Sequence, residues 1–168
     1  MNILNRETIN VQNPALGAML IWRFVTGFEG ASKTRNHPNL PLIFTILPLL
    51  FQEEIADIIT STRSISGLRA FADKFASSGI SKNDLLISLN DRILHMKELT
   101  FNSLMIAIAS NLLTIDVKNA TVIPITITPP KVGIPETIKK LLVLSEKIGI
   151  WCAPLTNHEI GLTLKIGL

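Results

Sequence analysis

Two stretches of this chain, residues 36–52 and 99–115, each run for 17 residues without a charged side chain. Segments of that length cannot be left lying on a solvated surface, so the fold must bury them or cover them. Neither reads as a membrane span, which needs about 18 or more consecutive apolar residues. The first is interrupted by Pro38, Pro41 and Pro48, and the second by Asn102, Ser103, Ser110 and Asn111. Both therefore read as core or interface. The rest of the composition agrees: charged residues are 17% of the 168, where an average soluble domain has about a quarter. Mean hydropathy is +0.39, yet aromatics are only 5% and Tyr is absent, so the surplus is Leu, Ile, Val and Ala. Disorder is excluded by this balance, and the length suits one compact domain.

A formal charge of +3, from 16 basic and 13 acidic residues spread along the chain, is too mild for a protein that coats nucleic acid. Residues Met1 to Gln12 carry Arg6 and Glu7 and lack the apolar core of a secretory signal. The single Cys152 cannot form an internal disulfide. A reducing cytoplasm is the expected setting.

Asn13-Pro14 opens the first helix with a favoured N-cap followed by Pro at the first helical position. Apolar residues recur at Leu16, Met19, Leu20, Phe24 and Phe28, and the helix is expected to stop between Gly27 and Gly30. Residues 29–39 read as an exposed connection. From Leu40 to Thr60 an apolar run becomes periodic after Pro48, which predicts a helix starting or kinking there; residues 42–47 fit helix or buried strand equally. Leu68, Phe71 and Phe75 mark a short amphipathic helix. Ser81 and Asp84 resemble a helix start for a segment Lys82 to Glu98, and Phe101 to Leu113 reads as a further helix. The period then changes to two: Leu113, Ile115 and Val117, then Ile123, Ile125 and Ile127, alternate with more polar residues on either side of Lys118-Asn119. That pattern predicts a hairpin over 113–127. Pro135 begins a last long helix ending near Gly149, and Asn157 to Leu164 suits a short one. The expected fold is mainly α with a small β-hairpin, in one domain over 1–168. Its parts are N-terminal helices at 13–60, a winged-helix-like part at 66–128 and C-terminal helices at 134–164.

Motifs for chemistry are sparse. The nine glycines form neither a phosphate-binding loop nor a dinucleotide fingerprint. His37, His95 and His158 lie in separate elements, so no metal or other cofactor is expected. Cys152 with His158 would be a nucleophile and base without an orienting third residue, and a buried thiol beside a surface imidazole is the plainer reading. Glu53, Glu54 and Asp57 lie opposite the apolar stripe of their own helix, a solvated or partner-facing arrangement. Arg63, Arg69 and Lys74 form the most basic local group and are candidates for contact with DNA phosphates, set against an ordinary salt-bridged surface. A DNA-binding winged-helix regulator is the alternative that the segment order suggests. Against it, Lys82, Arg92 and Lys97 in the would-be recognition helix are offset by Asp84, Asp91 and Glu98.

Residues 13–18 (NPALGA), Trp22-Arg23-Phe24, the Leu/Pro run from Leu40 to Leu50, Ser61-Thr62-Arg63, Gly67-Leu68 and Phe71 to Phe75 follow one another in order. Over residues 13–155 this pattern resembles the middle component of bacterial three-component ABC ATPase systems of the Lamassu type, which act in anti-phage and anti-plasmid defence. The resemblance implies a small non-enzymatic subunit. It would join an SMC-like ABC ATPase, the sensor of foreign DNA, to an effector that is often a nuclease, and help keep the effector inactive. It supplies no catalytic residues, and the end of the chain from Leu155 matches weakly.

A surplus of apolar side chains in a small subunit suggests a core continued across a partner. The expected interface lies on 15–28, 40–50 and the hairpin, with Trp22, Arg23, Phe24, Phe28, Leu42 and Phe51 as its candidate residues. For Trp22 with Arg23, an aromatic and arginine pair typical of hot spots, interface anchor and ordinary core are evenly balanced.

Overall fold

Asn13 folds back on the first helix: its Oδ1 accepts from the backbone N–H of Ala15 at 3.0 Å and of Leu16 at 3.2 Å. These are donors that a helix start otherwise leaves orphaned. The computed structural model describes residues 13–34, 36–76, 87–128 and 133–168. Helix α1, Pro14–Ala31, passes straight through Gly27 and Gly30, where the sequence predicts a stop. Gly27 is there for proximity: a Cβ on it would sit 2.5 Å from the carbonyl oxygen of Glu146. Tertiary contact has overridden the local preference of glycine for ending helices. Replacing Asn13 with Ala is expected to cost about 1 kcal/mol of stability through the lost cap, read as a lower midpoint in urea.

Behind α1 come three short pieces, α2 (Leu40–Ile43), α3 (Ile46–Leu50) and α4 (Glu53–Ser61). The ambiguous 42–47 segment is thus helical turn, and Pro48 lies inside α3 instead of opening a longer helix. The break falls at Phe51-Gln52, after which Glu53 and Glu54 occupy the first turn of α4, where carboxylates suit the helix dipole. A 3-10 turn, Ser64–Ser66, leads into α5 (Gly67–Ala76). Helices α6 (Leu89–His95) and α7 (Lys97–Ala109) follow, then strands β1 (Leu113–Asp116) and β2 (Thr121–Pro124), and finally α8 (Glu136–Cys152) and α9 (Asn157–Leu164). The helix read over Lys82 to Glu98 is divided: residues 77–86 lie outside the described residues, and Met96, at φ −96° and ψ 6°, separates α6 from α7. The next predicted helix starts four residues early for the same reason, and it also ends four residues early.

Helix α1 is the axis of the molecule, with α8 and α7 as its main neighbours. Leu20, Ile21, Trp22, Phe24 and Val25 leave no more than 1% of their surface exposed. Burial on every side requires close neighbours, and glycines provide the room. A Cβ at Gly149 would lie 2.2 Å from the Phe24 carbonyl oxygen and 2.8 Å from the Phe28 nitrogen. One at Gly17 would lie 2.1 Å from Ser103 Oγ. The close crossing also explains why α8 continues past Gly149 to Cys152. Ser145 Oγ donates to the Leu20 carbonyl at 2.6 Å across the same contact.

A hairpin forms where the sequence predicts one, but its pairing ends at Pro124 and not at residue 127, with Leu113 opposite Pro124 and Ile115 opposite Val122. Its inner face differs. Val122 is fully buried, whereas Ile125 and Ile127 are exposed, because cross-strand partners share a face and Leu113 and Ile115 set which one. Asp116 Oδ1 accepts from the N–H of Lys118 and of Asn119, at 3.0 and 3.3 Å, which shapes the turn without a glycine. The far side of β2 is occupied too: Val122 N–H donates to the Pro38 carbonyl and Leu40 N–H to that of Ala120.

Candidate interaction surface

Helix α7 owes its ends to Met96 and Asn111. Asn111 takes the left-handed conformation at φ 56°. Its N–H bonds to the Ile108 carbonyl at 3.0 Å, and that of Leu112 reaches the Ala107 carbonyl at 2.9 Å. This is the Schellman arrangement, with an Asn that tolerates positive φ where glycine is usual. Between those ends α7 is apolar on two sides. Its inner face buries Thr100, Ser103, Leu104 and Ala107 against the core. On its outer face Phe101 is 55% and Met105 50% exposed, and Leu94 of α6 is 69% exposed. A surface helix normally turns charges outward. Beyond Lys97 and Glu98 in its first turn none is available, since the rest of α7 falls in the second charge-free run.

Leu94 and Phe101 lie on either side of the break at Met96. Together with Phe44, His95, Lys97 and Glu98 they line a groove of about 430 Å³. A second, more polar cleft of about 800 Å³ lies between the end of α1, the hairpin and the turn joining α8 to α9. His37, Asp116, Asn119 and Asn157 line it, and the enclosed Nδ1 of His37 has no hydrogen-bond partner.

The residues singled out from the sequence lie elsewhere. Trp22, Phe24, Phe28 and Leu42 are buried in this chain's own core. Trp22 donates from Nε1 to the Thr126 carbonyl. Arg23 pairs with Glu146 and lies 5.6 Å from the centroid of the Trp22 ring, so its charge is met internally. Phe51 packs against the core while partly exposed. Hydrophobicity marks these positions as buried and does not say by what.

The basic group is dispersed into structural roles. Arg69 Nη2 meets Glu159 Oε1 at 2.8 Å. Lys74 Nζ donates to the Ser61 carbonyl at 2.7 Å, and Lys147 Nζ to that of Ile59 at 2.8 Å. Both ammonium groups thus satisfy carbonyls at the C-terminus of α4, the favourable end for a cation. Burial, and secondarily Lys74, holds the Lys147 ammonium below its ordinary pKa. Arg63 remains exposed on the loop before the 3-10 turn. Cys152 is fully buried and its thiol is pushed up to about 12 by burial, while His158 is exposed on α9. A thiol so protonated and enclosed is not a nucleophile. Among the described residues no cluster of three His, Cys, Asp or Glu could hold a metal ion, and no helix is long and apolar enough to cross a membrane.

Glu159 closes a capping box at the start of α9. Its Oε2 accepts from the Thr156 N–H at 2.9 Å, and Thr156 Oγ1 accepts from the Glu159 N–H at 3.2 Å. The Thr156 backbone N–H foremost, then the Thr156 hydroxyl, which donates to Oε2 at 3.0 Å, and then Arg69 hold the carboxyl below its ordinary value of 4.5. Since the folded pKa is the lower one, the contribution is complete above 4.5 and is lost as pH falls through the folded value. Thermal melts are expected to show an acid limb that flattens in Glu159→Gln; an unchanged limb would remove this carboxylate from the account.

A family model covers residues 1–168, that of the ABC-three component (ABC-3C) system Middle Component 3. The chain belongs to this family. Middle component 3 is one part of an ABC three-component defence system, so other components exist for it to meet. No curated protein and no solved structure matches the chain. In middle component 3 Leu94, Phe101 and Met105 are exposed apolar residues that no local motif marks in the sequence. Their signal was present: residues 99–115 are uncharged for longer than a helix with one buried face requires.

Proposed function

We propose that this chain is a non-catalytic adaptor of a Lamassu-type defence complex. It bridges an SMC-like ABC ATPase that senses foreign DNA and a nuclease-type effector, and it keeps the effector inactive until DNA engages the ATPase. Membership of the middle component 3 family carries this reading. The resemblance over residues 13–155 adds the nature of the two partners, and the outer face of α7, uncharged after Glu98, supplies a surface suited to permanent cover. DNA is met mainly through the ATPase, since Arg69 and Lys74 are engaged within the chain. The complex works in the cytoplasm.

The experiment is genetic and biochemical together. ATPase and effector, expressed without this chain in uninfected cells, are expected to damage DNA and arrest growth. Restoring the chain in the same cells is expected to suppress both. Silent ATPase and effector in its absence, awakened only when it is added, would make it an activator and overturn the restraining role.

A further inference from the structure

We propose that the α6–α7 groove receives one uncharged face of a helix from another component of the system. The helix lies along α7 with a large apolar side chain seated between Phe44, Leu94 and Phe101. This rests on the adaptor reading and specifies where and how one partner docks. The positions Phe101, Met105 and Ile108 recur at spacings of four and three and form a single ridge, about 10 Å long at the helical rise. A ridge of that kind packs between the side-chain rows of another helix. At the hairpin, β2 is bonded on both sides, which leaves only the four-residue outer edge of β1 for an added strand.

Charge determines the occupant's chemistry. No charged residue lies between Glu98 and Asp116, so a Lys or Glu of the occupant facing Met105, two turns past Lys97 and Glu98, would lose water without gaining a counter-charge. At the Phe101 end the opposite holds, because Lys97 and Glu98 line the groove beside it. Lys97 and Glu98 are exposed, and among the described residues neither has an ion pair. An acidic and a basic residue at the matching end of the occupant would meet them and fix its direction. A second copy of this chain fits less well. Two α7 helices running side by side about a two-fold axis set Lys97 against Lys97 and Glu98 against Glu98. Running antiparallel, they bring these charges to the uncharged Ser110-Asn111 end.

The test uses the complex purified from cells co-expressing all three components. A photoreactive p-benzoylphenylalanine in place of Phe101 is expected to crosslink to an apolar helix window of the ATPase or effector with charges at one end. A crosslink to a second copy of this chain would overturn the proposal. In parallel, Phe101→Lys and Met105→Glu are expected to weaken that component's binding by about 100-fold, as for interface hot spots. Val143→Glu, on the 61% exposed outer side of α8, serves as the control and is expected to change nothing. Melting curves of the isolated variants check folding. Retention of the components by wild type and by both groove variants alike would defeat the groove and leave the adaptor reading standing. A wild-type chain that retains neither component would defeat both.

Discussion

Replacing Gly149 with valine is expected to remove much of the stability of the fold. The atoms that a Cβ would meet there are the backbone oxygen of Phe24 and nitrogen of Phe28, at 2.2 and 2.8 Å. No rotamer change relieves a collision with backbone, so α8 must move away from α1 and open the packing of the two central helices. Overpacking costs 1–3 kcal/mol when side chains can yield; here about 3 kcal/mol or more is expected. At roughly 2–4 °C per kcal/mol for a chain of this size, the melting temperature should fall by roughly 6–12 °C. Gly30 is the internal comparison. It is helical, and a Cβ there meets nothing within 4 Å. Gly30→Ala is therefore expected to stabilise by about 0.5–1 kcal/mol, because alanine gives up less backbone freedom on folding. Equal melting temperatures for the two variants would mean that α1 and α8 do not approach as closely as described.

Trp22→Ala is expected to act on the isolated chain and cost about 3–5 kcal/mol, the usual range for emptying a buried tryptophan site. The reason is that Trp22 is 1% exposed and its indole N–H is bound to the Thr126 carbonyl, which ties α1 to the chain leaving the hairpin. Trp22→Phe should cost less, keeping most of the ring contact while leaving that carbonyl without its donor, about 1–3 kcal/mol. Had Trp22 anchored a partner, the isolated chain would melt unchanged and only the complex would weaken. Denaturant midpoints of the two variants therefore decide between core and interface without any partner present.

Local signals in the sequence carried well where the cause of a structure was itself local. Asn13-Pro14 starts α1, and the switch from period 3.6 to period 2 marks the hairpin. What escaped depended on contacts far along the chain. Gly27 and Gly149 look like helix ends until each is seen to admit the other helix's backbone. Val122 replaces Ile123 on the inner face because Leu113 and Ile115 fix the register. Trp22, Phe24 and Leu42 carry the same apolar signature that an interface would, and only the position of α1 at the centre assigns them to the core. The candidate surface was legible in a different way. Two uncharged 17-residue runs both had to be covered; the first became α2 and α3 inside the fold, whereas the second became α7, which this chain covers on one side alone.

The most direct measurement is native mass spectrometry of the tagged chain purified after co-expression with its ATPase and effector. The account predicts one assembly containing all three proteins, from which Phe101→Lys or Met105→Glu releases a component while the variant chain stays folded. A chain recovered alone as a folded monomer, with ATPase and effector bound directly to each other, would contradict it.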